Sequence, residues 1–387
     1  MKKVLMFTTL VLTTVTLASC SLAKNKSSNS DGSTAVGNGK VEMKIKDGQY
    51  VLPSDSDSDS KYLALNIEIK NKGDKKLTLS NTDFGLYNSD DEKEKPVTVY
   101  DSTEKFNSFS YDSVSKGKSV KGYIVFEVDK DEKYELHYSP TIISTDDKDS
   151  NEIQVKVDPS KYTDDVDKAE ELASEYVNSV FLSGEASGNA ENVSVVPSKT
   201  SPLLLADDKK SDKDSKDDKK KDKSFTLGGD VKKDRSEFTK KFASDFGDEF
   251  SYYHPSEAEL STFIAAYTKA NAKRAKITYK VSEYLPEHVV IYVRPEVIGL
   301  ENLRTGDLIT KFANEHRGEY SNYSDALSAA EKYIIEQAPT QFDTLPLVTN
   351  KYMDSEGYKI EFTKKSGKWV INTSGYNYES LSEAFQG

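Results

Sequence analysis

One residue in this chain has both the chemistry and the setting for covalent modification: Cys20, the sole cysteine among 387 residues. With no second thiol, an intramolecular disulfide framework is excluded. Cys20 follows Lys2 and Lys3, an apolar stretch over residues 4–16, and Leu17-Ala18-Ser19. A positive start, a short apolar run and small residues are the order of a secretory leader, with cleavage between Ser19 and Cys20. The apolar run falls short of the roughly 20 residues a membrane-spanning helix needs.

The quartet Leu17-Ala18-Ser19-Cys20 resembles the lipobox of bacterial lipoproteins. That resemblance implies acylation of the Cys20 thiol, removal of residues 1–19, and attachment to the outer face of the cell membrane. One acyl chain binds a membrane only marginally, whereas the diacylglyceryl group implied here supplies at least two. Residues 20–40, rich in Ser, Asn, Gly and Lys, read as a lipidated flexible tether.

The remaining residues with chemical potential are sparse. The histidines are His137, His254, His288 and His316, and none sit at helical i, i+3 or i, i+4 spacing, so no metal site is expected. Alternating oxygens in Ser54-Asp55-Ser56-Asp57-Ser58-Asp59-Ser60 suggest calcium. Aligned with an EF-hand loop, however, Ser60 stands where the turn glycine belongs and Asn66 where the bidentate glutamate belongs. Tyr252-Tyr253-His254-Pro255 could line a pocket, with His254 as acid or base. The simpler reading is a hydrophobic staple before the Ser256 cap. Ser113-Val114-Ser115-Lys116 matches S-x-x-K by letter but falls in a β-rich loop without a helix start. Leu345-Pro346-Leu347-Val348-Thr349 superficially resembles a sortase signal, without the apolar tail or basic terminus. Trp369, the single tryptophan, reads as a core anchor beside a hairpin turn.

A formal charge of −12, nearer −14 once Lys2 and Lys3 depart, gives no counterion-release gain at nucleic acid, so DNA or RNA is not an expected partner. It also opposes adhesion to anionic headgroups, which leaves the lipid on Cys20 as the membrane attachment. No cofactor motif is present, and none is expected.

The elements that would carry these residues fall into two expected domains. Over 41–158 apolar residues alternate in short runs. Leu63, Leu65, Ile67 and Ile69 form the clearest, with Ile124, Phe126 and Val128 another. Many short strands between turn residues predict an all-β antiparallel sandwich. Residues 62–74, 84–87, 117–128 and 134–138 resemble the telokin-like, immunoglobulin-type domain of Gram-positive lipoproteins. The resemblance implies an immunoglobulin-like fold and an extracellular setting, with no catalytic residues to carry over.

From 159 to 387 the period changes. A helix is expected over 162–181, with Thr163 as its N-cap. A disordered Asp/Lys/Ser-rich insert follows at about 185–230. Asp234-x-x-Glu237 and Ser256-x-x-Glu259 read as capping boxes for two further helices. Strands around 277–281 and 289–293, helices over 308–316 and 325–337, a hairpin over 358–372 and a last helix over 378–385 complete an α+β domain. This half resembles, more distantly, the second domain of two-part Gram-positive lipoproteins. Its element order suggests a cystatin-like or nuclear-transport-factor-like cone. Its sheet face of Ile277, Tyr279, Val281, Val289, Ile291 and Val293 is expected to fill against the 238–250 helix.

The reading is a non-enzymatic, surface-anchored binding module for a protein, peptide or envelope component, with its ligand-binding residues unassigned. The alternative is an envelope enzyme or small-ligand binder using a pocket in the second domain. A transporter solute-binding protein is disfavoured, because alternating strand–helix units are missing.

Overall fold

Alternation in the first half does produce antiparallel sheets. The computed structural model describes residues 35–139, 152–183 and 225–387. Ser19, Cys20, the tether up to residue 34 and most of the expected insert lie outside the described residues. Among the described residues no helix is long and apolar enough to cross a membrane.

The first half comprises β1 (Val36–Gly37), β2 (Val41–Val51), β3 (Tyr62–Asn71), β4 (Leu77–Leu79), β5 (Phe84–Tyr87), β6 (Lys93–Glu94), β7 (Asp112–Val114), β8 (Ser119–Glu127), β9 (Tyr134–Tyr138) and β10 (Ile153–Val157). Two four-stranded sheets, β1-β2-β3-β8 and β10-β9-β5-β6, enclose one core. Leu63, Leu65, Ile67 and Ile69 of β3 are all fully buried, as a period of two requires when one face is covered. A β-bulge between Ile45 and Asp47 and a small β4–β7 ladder complete this all-β region.

The second half is α+β. Its elements are α1 (Lys168–Val180), α2 (Val231–Gly247), α3 (Glu257–Arg274), β11 (Lys276–Tyr284), β12 (His288–Ile298), α4 (Thr305–Glu315), α5 (Tyr323–Gln337), β13 (Leu347–Val348), β14 (Tyr358–Lys365), β15 (Lys368–Ile371) and α6 (Tyr376–Ala384). The strands form an antiparallel sheet ordered β11-β12-β14-β15, with β13 added on β12. The β14–β15 hairpin turns at Ser366 and Gly367, both at positive φ (51° and 79°), which is type I′ chemistry. Trp369 is 1% exposed and anchors this core. Leu347 and Val348 pair with Ile298 and Val297, so that segment is structural.

Several local expectations need correction. Helix α1 begins at Lys168, not near 162. Thr163 caps nothing; its carbonyl accepts from the Tyr50 amide at 3.0 Å, which fastens the chain to β2 before the helix starts. Asp230, not Asp234, caps α2, accepting from the Lys233 amide at 3.0 Å. Asp234 lies inside that helix and accepts from Tyr176 Oη at 3.1 Å. The Ser256–Glu259 capping box forms with both of its bonds. Residues 225–230, counted within the insert, join the fold: Leu227 bridges Trp369, and Phe225 lies 5.6 Å from the Trp369 ring. The sheet is covered by α1, α3 and α6. Phe246 of α2 stacks on Phe263 of α3 at 4.1 Å, so α2 forms an outer layer.

The two halves are not separated by an empty joint. Val51, Leu52, Tyr62, Ala64, Phe106 and Val125 of the first belong to the same buried cluster as the second half's core. Leu52 and Tyr284 exchange backbone hydrogen bonds at 2.9 and 2.8 Å.

Candidate functional site

The outer face of the sheet β10-β9-β5-β6 carries the residues that alternation turns away from the core. Tyr134, Leu136 and Tyr138 point inward on β9, so Glu135 and His137 point outward. Register brings Tyr87 of β5 and Lys156 of β10 opposite Glu135. With the turn after β5 (Asn88, Ser89, Asp91), with Lys133, and with Asp158, Lys161 and Tyr162 after β10, these side chains line a cleft of about 640 Å³. Pockets that hold small ligands fall in the range of about 300–1,000 Å³.

Aromatic rings form one wall: Tyr87 and His137 lie 4.3 Å apart between ring centroids. Gly85 makes room for this, because it sits opposite His137 and a Cβ there would collide with the Lys93 side chain, which lies over the Tyr87 ring. His137 bridges two carboxylates, with Nδ1 at 3.1 Å from Glu152 and Nε2 at 3.7 Å from Glu135. Burial pushes the Glu152 carboxyl up, but hydrogen bonds from His137, Gln154 and Ser139 outweigh it and hold it below the usual glutamate value. The Asp158 carboxyl is held down by its hydrogen bonds from Lys133 and Ser160.

The hydroxyl beside His137, Ser139 Oγ, donates to Glu152 at 3.2 Å and not to the imidazole, so the two do not form a serine–histidine pair. The cleft combines aromatic faces, lysines, carboxylates and an amide. Such a wall suits a polar ligand carrying both charges.

A second cluster lies in the joint between the halves. Asp101, Glu283 and His288 place ligand-type atoms within 4.8 Å of one another. Their side chains are 4%, 8% and 3% exposed. Along β11, simple alternation would put Glu283 on the apolar face with Ile277, Tyr279 and Val281. A bulge between Val281 and Glu283 reverses the parity, pairing Glu283 with Val290 and turning it toward His288. His288 Nδ1 lies 2.7 Å from Glu283 Oε1 and 3.9 Å from Asp101 Oδ1. Asp101 accepts from the Thr103, Lys105 and Phe106 amides and from Thr103 Oγ1, at 2.7–2.8 Å. Burial raises its carboxyl, and these donors overcome that and hold it below the ordinary aspartate value.

The residues singled out from sequence fare differently. Cys20 and Ser19 lie outside the described residues. Tyr253 is half-buried against the core and its hydroxyl donates to Glu259, while His254 is exposed. The amides of Ser251, Tyr252 and Tyr253 all donate to Glu331 of α5, which occupies that loop. Asp57 accepts from the Asp59 amide within a turn connection, so the alternating acids form a local loop. Ser113 lies in β7, and Lys116 pairs with Asp74.

Sequence reasoning left the cleft and the buried triad unassigned. The alternating pattern of β9 could have marked Glu135 and His137 as outward. Nothing local could have joined Asp101 to residues nearly two hundred positions later.

Comparison with known proteins agrees with this architecture. Residues 13–163 match a family model described as a domain of unknown function (DUF4352). The chain is 24% identical over 378 residues to the uncharacterized lipoprotein YcdA of Bacillus subtilis (strain 168), covering 95% of this chain and 94% of that protein. It resembles Gram-positive lipoproteins along nearly its whole length. The crystal structure of the Bacillus subtilis lipoprotein aligns with a TM-score of 0.60 at 22% identity, over 92% of this chain and 99% of that one, so the two share a fold. The yjhA protein of the same species aligns over 32% of this chain and 95% of its own at 19% identity, with a TM-score of 0.26.

Proposed function

We propose that this chain is an extracytoplasmic binding protein, held at the outer face of the cell membrane by lipid on Cys20, and that its first half takes up a polar peptide or other envelope component. The cleft of about 640 Å³ lined by Tyr87, His137 and Lys156 carries this reading. Its host is a telokin-like, immunoglobulin-type sandwich, and its lipoprotein relatives support an anchored, extracytoplasmic setting. In the second half, the gap between α1, α2 and α3 is about 10 Å³, at the limit for one water, so that gap is not a ligand site.

Two measurements test this. Cys20→Ala should abolish incorporation of labelled palmitate, because no other thiol can accept it; equal labelling would remove the anchor from the proposal. Native mass spectrometry of the full chain, purified in detergent from its own host, should find a ligand that Tyr87→Ala with Lys156→Glu loses. A ligand retained by that variant would place binding elsewhere.

A further inference from the structure

We infer that Asp101, Glu283 and His288 form a site for one divalent cation of the zinc or manganese type, which fastens the two halves of the molecule. Three observations converge. The three side chains come from separate segments, the 101–106 loop, the β11 bulge and the start of β12, yet their donor atoms gather within 4.8 Å. Metal–ligand bonds of about 2.0–2.2 Å bring ligand atoms to within a few ångströms of each other, which matches that spacing.

Charge is the second observation. Two carboxylates with side chains 4% and 8% exposed sit together, and among the described residues no lysine or arginine pairs with either. Lys105, the nearest candidate by sequence, reaches toward Glu287 instead, at 4.0 Å. The two buried carboxylates share one imidazole, which can carry at most a single positive charge, and an imidazole with two carboxylates is a donor set that zinc and manganese accept.

Orientation is the third. Glu283 has a single hydrogen-bond partner among the described residues, the His288 ring, leaving its other oxygen uncommitted. Four donors from its own loop fix how Asp101 presents its carboxylate, the supporting role that outer hydrogen bonds play around metal ligands. The bulge in β11 does two things at once: it turns Tyr284 into the core beside Trp369 and turns Glu283 off the apolar face into this cluster.

The test uses the full chain in detergent, stripped with chelator and dialysed, then titrated with zinc or manganese and assayed for bound metal by mass spectrometry. We expect about one equivalent per chain, and uptake weakened about tenfold or more in Glu283→Gln and in His288→Gln. Glu287→Gln, which removes the same charge from an exposed neighbour, should leave uptake unchanged. A stripped chain that takes up no metal, or uptake unaltered by Glu283→Gln, overturns the inference and leaves a metal-free hydrogen-bonded triad. If those variants fail to fold, the wild-type melting temperature decides: it should rise by several degrees with zinc or manganese, and no rise rejects the site.

Discussion

Phe106→Ala is the change that best asks whether the two halves are one cooperative body. Phe106 sits in the loop that also carries Asp101, is 8% exposed, and stacks on Tyr123 with ring centroids 4.8 Å apart. Its ring belongs to the cluster that includes Tyr284, Val289 and Trp369 of the second half. Losing the ring forfeits about 1.5–3 kcal/mol of apolar transfer and about 0.5–1.5 kcal/mol of ring contact. A loop can collapse partly into the space, so about 3 kcal/mol in all is expected, the low end for Phe→Ala. The assay is urea unfolding read by Trp369 fluorescence, since the single tryptophan reports from the β15 side of the second half. With slopes of about 1–3 kcal/mol/M, the midpoint should fall by about 1 M or more. Far-UV dichroism should shift with it. An unchanged Trp369 midpoint, with only the dichroism signal of the β-region moving, would show that the halves unfold independently and that the shared core is not coupling them.

Acid should act on the α3 cap. Hydrogen bonds from Ser256 and Tyr253 hold the Glu259 carboxyl at about 2. A folded value below the ordinary 4.5 means that its contribution is complete above that ordinary value and drains away as pH falls from there toward 2. Melting temperatures recorded across that window should fall less steeply for Glu259→Gln than for the wild type, and identical slopes would deny the cap its role. Ser256→Ala should cost about 1 kcal/mol in denaturant unfolding, the usual value of a lost N-cap. Ser366→Asn should stabilise by about 0.5 kcal/mol, because asparagine tolerates the left-handed conformation that serine holds here at φ 51°; a loss of stability would mean the hairpin turn is set by something else.

Much was legible without coordinates. A period of two marked β3 and β8, Ser256-x-x-Glu259 announced α3, and Ser366-Gly367 announced a hairpin, because each depends on backbone geometry within a few residues. The lipobox likeness at Cys20 is of the same local kind. Helix starts were read less well at α1 and α2, where several residues offer a capping oxygen and tertiary contacts choose among them. Thr163 was taken by Tyr50 and Asp234 by Tyr176.

Sequence by itself determined the kinds of element, their order and the acidic balance, and it places the lone thiol of Cys20 behind a leader-like stretch. These follow from side-chain chemistry and short-range periodicity. Tertiary structure alone decided which outward residues converge. The cleft needs the register of β5, β9 and β10 to set Tyr87, Glu135 and Lys156 abreast, and register is a relation between strands, not a property of one. The triad needs still more. One extra residue in β11 reverses the direction of Glu283, and a loop from the other half brings Asp101 to meet it. A bulge is a local irregularity that exists only because the paired strand enforces it, so its consequence for Glu283 could be seen only once β12 lay alongside.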